Sequence, residues 1–277
     1  MRAPKSRSYW IAVAVILVVY GVFSLLPIAY LIVSSFKTQQ QIYAGIGSTF
    51  WFSPTLDSYR FIFETKPMLH MLTNTLIVSV GSTVFSLVFG TLAAYGLARF
   101  SFRGRDDLAF YILSVRMFPP IVAALPIFMI FKTMALLDTK LGLIIAYTSF
   151  NLPFVVWMMT GFIKAVPVQL EEAAMIDGQT QLGAIRDILL PVLRPSIIAV
   201  AIFCIIFSWN EFLFALILTK AKAKTLPVAI PEFITWTEVG WNYVAAAGMV
   251  LVMPVLLFSI LAQKYMVRGM SMGAIKD

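Results

Sequence analysis

The chain has 277 residues, of which 60% are hydrophobic and 12% are charged. A soluble domain carries about a quarter charged residues, so this composition argues against a soluble protein and favours one embedded in a bilayer. The formal net charge is +8, but the basic residues are scattered over short segments and form no stripe, which argues against nucleic-acid binding. A single histidine and a single cysteine exclude an internal disulfide and argue against a metal site.

The first predicted membrane span is the uncharged run of residues 8–36, which follows a basic N-terminal segment. It is too long for the apolar region of a secretory signal, so we interpret it as a retained span with its N-terminus in the cytoplasm. Pro27 is expected to kink this helix. A polar loop rich in aromatic residues then covers residues 37–70, and some of its rings are expected at the membrane interface.

Five further apolar segments predict five more membrane-spanning helices. They cover residues 72–98, 108–131, 141–163, 196–219 and 243–261. Small residues recur every three or four positions in the first of these, which lets neighbouring helices approach closely. A basic cluster of arginines follows it and marks a cytoplasmic turn, because Lys and Arg concentrate on the inner side of a membrane. We therefore predict an all-α polytopic membrane protein with six spans and both termini in the cytoplasm.

Two ionisable residues, Arg116 and Glu211, lie within the predicted spans. Each is costly at membrane depth unless it faces water, a partner or the headgroups. We expect both to face a water-lined cavity inside the bundle, although Arg116 could instead reach the cytoplasmic headgroups. Pro119 and Pro120 should break the helix beside Arg116. Polar or aromatic residues at membrane depth are candidates for a transport pathway, or equally for packing between helices: Arg116, Asn151, Trp157, Asn210 and Glu211.

Residues 164–195 lie between two predicted spans but are too polar to sit in lipid. We call this stretch the docking loop, and its pattern predicts two short helices. The first follows Pro167 and carries Glu171 and Glu172 in its first turn, where acidic side chains favour the positive end of the helix dipole. Gly178 supplies the left-handed residue that ends this helix.

The second helix of the docking loop is expected to be capped by Thr180 and stopped by Pro191. On the first helix, an i, i+3, i+4, i+7 spacing places four residues on one face: Leu170, Ala173, Ala174 and Asp177. The two alanines make this face shallow, so the backbone of another protein can come close. The docking loop is therefore predicted to bind a partner.

The order and spacing of Glu172-Ala173-Ala174, Asp177-Gly178 and Leu190-Pro191 resemble the EAA loop of ABC-importer permeases. Further stretches are similar to permeases of carbohydrate importers: Met117-Phe118-Pro119-Pro120, Trp209-Asn210-Glu211-Phe212, Gly269-Met270 and Gly273-Ala274-Ile275-Lys276. Within that class, the chain is most similar to the smaller permease of the maltose-transporter type. The resemblance covers nearly the whole sequence.

This resemblance implies a single transmembrane permease domain over residues 1–277, with the docking loop and a cytoplasmic tail, residues 269–277, within it. It implies that the docking loop contacts an ATPase through Glu171, Glu172, Ala173, Ala174, Asp177, Gly178, Leu190 and Pro191. It also implies a contact between the tail and the ATPase through Gly273, Ala274, Ile275 and Lys276. The chain would lie in the plasma, or inner, membrane of a prokaryote.

The family implies that two different permeases pair, that two ATPase subunits bind beneath them, and that an external binding protein delivers a sugar or polyol. The sequence has no Gly-Lys-Ser or Gly-Lys-Thr phosphate-binding loop, so ATP and Mg are expected to bind to the ATPase. We expect this chain itself to hold no cofactor and to contain no catalytic residue. The alternative is an ion-coupled secondary transporter of a small polar solute. That alternative needs intramembrane carboxylates and an inverted repeat. Only Glu211 qualifies as such a carboxylate, and no inverted repeat is visible in the sequence.

Overall fold

The computed structural model describes residues 7–45, 47, 51–235 and 239–271. Within these ranges the chain is almost entirely helical, and its β-structure is a single antiparallel bridge between Ile234 and Val239. Five described helices are long and apolar enough to cross a membrane, and a bent pair of helices forms a sixth candidate. The prediction of an all-α membrane protein is confirmed, and the predicted number of six spans is reached when the bent pair is counted as one span.

The helices follow one another in chain order with short connections. They are α1 (Arg7–Ser35), α2 (Gln39–Tyr43), α3 (Asp57–Thr65), α4 (Met68–Arg99), α5 (Arg105–Met117), α6 (Pro120–Thr133), α7 (Lys140–Ala165), α8 (Gln169–Ile176), α9 (Gln181–Ala184), α10 (Leu190–Trp209), α11 (Leu213–Leu218), α12 (Leu226–Ala229) and α13 (Trp241–Ser271). A π-helical segment, Ile185–Leu189, joins α9 to α10, and a 3₁₀ turn, Ile230–Phe233, follows α12.

The helices form two compact units, and the first comprises Met1–Met68 and Ile230–Val252. Its α1 exposes almost its entire apolar surface, which suits a span in contact with lipid. Inside this unit the buried amide of Asn242 donates to Ser58 Oγ at 3.0 Å, which ties the start of α13 to α3. Lys66 and Glu232 form an ion pair at 2.7 Å.

The second unit comprises Leu69–Ala229 and Met253–Asp277 and contains both candidate sites. Its helices approach closely at small residues, as the sequence predicts. A Cβ atom at Gly90 of α4 would lie 2.7 Å from Val155 Cγ1 of α7, and one at Gly81 would lie 2.9 Å from Ile144 Cδ1. The glycines of α4 therefore determine how near it packs to α7.

The third span departs from a straight helix. α5 ends at Met117, α6 begins at Pro120, and the two helices are inclined by 95°. The prediction that the double proline breaks the helix is confirmed, because Pro120 has no N–H to bond to the preceding turn. The bend brings Arg116 to the end of a helix instead of the middle of one.

The fifth span begins and ends earlier than residues 196–219. A helical segment runs without interruption from Gln181 to Trp209, so the predicted span boundaries are wrong. The prediction that Pro191 stops the helix is also wrong. The π-helical turn Ile185–Leu189 directly precedes α10, and this wider turn accommodates the missing N–H of Pro191 near the first position of that helix.

Candidate functional site

The first helix of the docking loop and the start of the second have the local structure that the sequence predicts. α8 carries Glu171 and Glu172 in its first turn, and Gly178 follows it with φ +89°, the left-handed conformation that ends many helices. Thr180 caps α9 by accepting a hydrogen bond from Gly183 N at 3.2 Å. These features project α8 as a short, separate helix between two long spans.

The exposed surface of α8 differs from the predicted face. Ala174 is 7% exposed and Glu171 is 3% exposed, so this chain encloses both side chains and neither belongs to the exposed surface of α8. The helix rests on these two residues, and their predicted contact with an ATPase stays a prediction. Ile176, which the sequence did not single out, is 86% exposed. The exposed residues of α8 and of the turn that follows it are Gln169, Leu170, Glu172, Ala173, Met175, Ile176, Asp177 and Gly178.

Glu171 joins α8 to the end of α4 through a group of contacts that we call the Glu171 clamp (Glu171, Arg99 and Tyr95). Arg99 Nη2 and Nε lie 2.6 and 2.8 Å from Glu171 Oε1, and Tyr95 donates to Oε2 at 2.9 Å. Arg99 also donates to the carbonyl of Val166 at 3.0 Å. Both charges are buried and both carboxylate oxygens are satisfied, which is the arrangement in which a buried pair is stable.

A cavity of about 380 Å³ lies between α5, α7 and α10. Four of the five predicted pathway residues line it, namely Arg116, Asn151, Asn210 and Glu211. Its other lining residues are Pro120, Tyr147, Phe150, Ile206, Phe207, Ser208 and Phe214. We call this space the polar cavity. Trp157 does not line it, and this side chain lies on another part of α7 with 57% of its surface exposed.

Arg116 enters the polar cavity without an acidic partner. Its Nη1 donates to the carbonyl of Phe150 at 2.8 Å, and its guanidinium lies 4.5 Å from the ring centre of Phe207 and 5.5 Å from that of Phe154. Among the residues that the structure describes, no carboxylate lies within 4.0 Å of it. Aromatic faces stabilise the cation and leave its remaining N–H groups for other acceptors.

Glu211 lies after the end of α10 and caps the next helix. Its Oε1 accepts from Phe214 N at 2.9 Å and its Oε2 from Ala215 N at 3.2 Å. The expectation that this residue sits inside a continuous span is wrong, because α10 ends at Trp209 and α11 begins at Leu213. The backbone N–H groups hold the carboxylate in place, so no salt bridge with Arg116 is needed to keep it there.

The wall of the polar cavity is held by a buried hydrogen-bonded chain. Ser208 Oγ lies 2.9 Å from Ser82 Oγ of α4 and accepts from Asn151 Nδ2 of α7 at 2.7 Å. Three helices therefore meet at Ser208. Asn151 is 3% exposed, so it acts mainly as part of the wall, whereas Asn210 is an exposed lining residue.

Another charged group fixes the segment 220–223 at the other end of the unit. Asp138, between α6 and α7, accepts hydrogen bonds from the backbone N–H groups of Lys220, Ala221, Lys222 and Ala223 at 3.0–3.3 Å. Partial burial alone raises the pKa of a carboxyl group, but these four donors outweigh it and lower the pKa of Asp138 to about 2.

Comparison with known proteins agrees with this architecture. The solved structure of a bacterial ABC transporter involved in the import of the acidic polysaccharide alginate contains a chain that matches with a TM-score of 0.80 at 24% identity, over 95% of this chain and 99% of that one. The trehalose transport system permease of Mycobacterium tuberculosis is 35% identical over 98% of each chain. The trehalose/maltose transport system permease of Thermococcus litoralis is 31% identical over 94% of each.

The fold and the docking loop define an integral membrane subunit of a transport system. Residues 86–272 match the model of the family described as the binding-protein-dependent transport system inner membrane component. The chain belongs to this family. Membership decides against the alternative of an ion-coupled secondary transporter. The predicted tail contacts Gly273, Ala274, Ile275 and Lys276 lie outside the residues that the structure describes.

Proposed function

We propose that this chain is a permease subunit of an ATP-driven importer of sugars or polyols. The observation that carries the proposal is helix α8, which is exposed along most of its length and matches the EAA pattern. The names of its relatives favour a carbohydrate, since they include permeases for trehalose, for trehalose and maltose, and for diacetylchitobiose. Both termini would lie in the cytoplasm, on the side of the docking loop.

The exposed surface of α8 would bind one of two ATPase subunits, which would carry ATP and Mg themselves. Small Ala173 and apolar Ile176 suit insertion into a groove, and Glu172 and Asp177 add charge at its rim. Glu171 and Ala174 would support the helix from below. Leu190 and Pro191, half-buried and exposed respectively at the start of α10, would border the same contact.

The importer would also need a second permease and an external binding protein. A structural neighbour supports this composition, since it comes from a bacterial alginate ABC transporter solved in complex with a periplasmic protein bound to an alginate pentasaccharide. The polar cavity would then form part of the translocation pathway. Arg116, Asn210 and Glu211 would offer donors and acceptors to passing hydroxyl groups, with Asn151 in the wall.

The test uses the complex purified with its partner permease and ATPase subunits in lipid nanodiscs. A panel of sugars and polyols is added with the cognate binding protein, and ATP hydrolysis is measured. We expect at least one sugar or polyol to stimulate hydrolysis, and Ile176→Glu to release the ATPase by placing a charge in an apolar contact. Stable binding of the ATPase to the Ile176→Glu chain would contradict the proposed contact.

Deletion of residues 273–277 tests the proposed contact of the tail. The truncated chain should insert and assemble as before, while its stimulated ATPase activity should fall because one contact with the ATPase subunits is missing. Activity is compared with that of the full chain at equal amounts of assembled complex. Unchanged stimulation would show that these residues do not take part in coupling.

A further inference from the structure

Helix α4 contacts both the docking loop and the polar cavity. At its end, Arg99 and Tyr95 hold the carboxylate of Glu171 at 2.6 and 2.9 Å. Farther along the same helix, Ser82 Oγ lies 2.9 Å from Ser208 Oγ in the cavity wall. At about 1.5 Å of rise per residue, these two contact points lie roughly 25 Å apart along the helix.

Both contacts are buried. The side chains of Arg99 and Glu171 are 11% and 4% exposed, and Ser82 and Ser208 are 0% and 3% exposed. Separating a buried carboxylate from its cation would leave a charge without a partner at a site of low dielectric constant, so the pair resists being pulled apart. This resistance favours movement of α8 and the end of α4 together.

Between its two contacts, α4 has the properties of a stiff rod. The stretch from Ser82 to Arg99 is helical throughout and contains no proline, the commonest cause of a sharp kink. At Gly90 it packs so near to Val155 that there is no room for an extra methyl group. Helix α4 and helix α7 are therefore in close contact at this level.

We infer that α4 transmits movement of the docking loop to the polar cavity. The inference rests on the proposed function, since an ATPase must first displace α8. When Glu171 moves with α8, its contacts with Arg99 and Tyr95 move the end of α4. At the other contact, Ser82 then displaces Ser208 in the cavity wall. Arg99, Tyr95 and Ser82 are positioning residues in this scheme, because they touch neither nucleotide nor sugar.

The experiment measures access to the polar cavity in the assembled complex of both permeases and the ATPase subunits. Asn210→Cys in a Cys204→Ser background serves as the reporter, labelled by a hydrophilic thiol reagent with and without a non-hydrolysable ATP analogue. We expect Tyr95→Phe, Glu171→Gln and Ser82→Ala each to reduce the nucleotide-dependent change in labelling rate by roughly threefold or more. The ATPase should remain bound in all three variants.

Asp106→Asn is the matched control for Glu171→Gln, because it makes the same acid-to-amide change at a side chain that is 85% exposed. It should keep the full nucleotide response. If the Glu171→Gln chain does not insert into the membrane, the test rests on Tyr95→Phe and Ser82→Ala. A full nucleotide-dependent change in labelling in both of these variants overturns the inference. Loss of the ATPase from Tyr95→Phe also overturns it, since the Glu171 clamp would then only shape the docking loop.

The same measurements separate failure of the inference from failure of the proposed function. If the ATPase does not bind the unmodified chain, the proposed function is wrong and transmission through α4 fails with it. If the ATPase binds but the nucleotide leaves labelling of the otherwise unmodified reporter chain unchanged, transmission to this cavity is wrong while docking stands. A response that is present in the reporter chain and diminished in the variants supports both.

Discussion

Arg99 and Arg116 are two partly buried arginines of the same unit, and different kinds of neighbouring groups stabilise their charges. Arg99 meets a buried carboxylate, and its partner Glu171 accepts a further hydrogen bond from Tyr95. Arg116 meets a carbonyl and two phenylalanine rings, with no carboxylate within ion-pair distance among the described residues. The first charge is neutralised within the chain, whereas the second keeps donors that a cavity can present to a passing molecule.

This comparison shows what distinguishes a structural charge from one available for transport. The Glu171 clamp joins two elements, and removal of either charged partner, Arg99 or Glu171, leaves the other charge without its counterion. The polar cavity contains charges that are held separately, Arg116 by aromatic rings and Glu211 by the N-terminus of α11. Neither side chain therefore needs the other to hold its position.

The largest expected effect follows from removing the cation of the clamp. Arg99→Met leaves the buried carboxylate of Glu171 without its cation and should lower the free energy of unfolding by about 3–5 kcal/mol. Arg116→Met is the matched control and should lower it by only about 1 kcal/mol, because no carboxylate is left behind. Both are measured by denaturant titration of the purified chain in micelles. Equal losses would mean that the two arginines do not differ as described.

A smaller effect is expected from straining the end of α8. Gly178→Val forces a β-branched residue to φ +89°, which should cost about 1–2 kcal/mol and misdirect the docking helix. Uptake should be abolished while the permease pair still inserts. Gly178→Asn is the control, because asparagine tolerates the left-handed conformation and no atom lies within 4 Å of the new Cβ. Normal uptake by the valine variant, with the ATPase bound, would refute the prediction.

Asp138 extends the comparison to a charge that backbone groups alone stabilise. Its pKa is about 2 in the folded chain and about 3.9 when unfolded, so its contribution is complete above pH 4 and is lost as the pH falls towards 2. After a reduction for solvent screening, that contribution is about 1 kcal/mol. Asp138→Asn should lower stability by this amount at pH 7 and leave stability unchanged near pH 2. A deficit that does not depend on pH would contradict this assignment.

Substitutions in the polar cavity are expected to have the smallest effect on stability. They report most directly on the access of water-soluble reagents to the cavity. Arg116→Cys and Glu211→Cys, each in a Cys204→Ser background, should react with a hydrophilic thiol reagent in membranes because both positions line the cavity. Val155→Cys, at a position with no exposed surface, should not react. If neither cavity position reacts in any nucleotide state, Arg116 and Glu211 are buried structural charges and the proposed pathway is wrong.

The sequence by itself determined the features that depend on neighbouring residues along the chain. The number of spans follows from the length of the apolar runs, and the break after Arg116 follows from two prolines that cannot continue a helix. The ends of α8 and α9 follow from Gly178 and Thr180, whose effects act within one turn. The docking loop was predictable because its motif is contiguous.

The tertiary structure decided everything that depends on distant segments meeting. Arg99 and Glu171 lie on different helices, and only their packing shows that the acid is buried and paired within this chain. The end of α10 at Trp209 was equally hidden, since Glu211 stabilises the next helix by capping it and the apolar run continues past the break. Arg116, Asn151, Asn210 and Glu211 converge, and Trp157 does not, because the bend after α5 and the packing of α7 against α10 determine which side chains share one cavity.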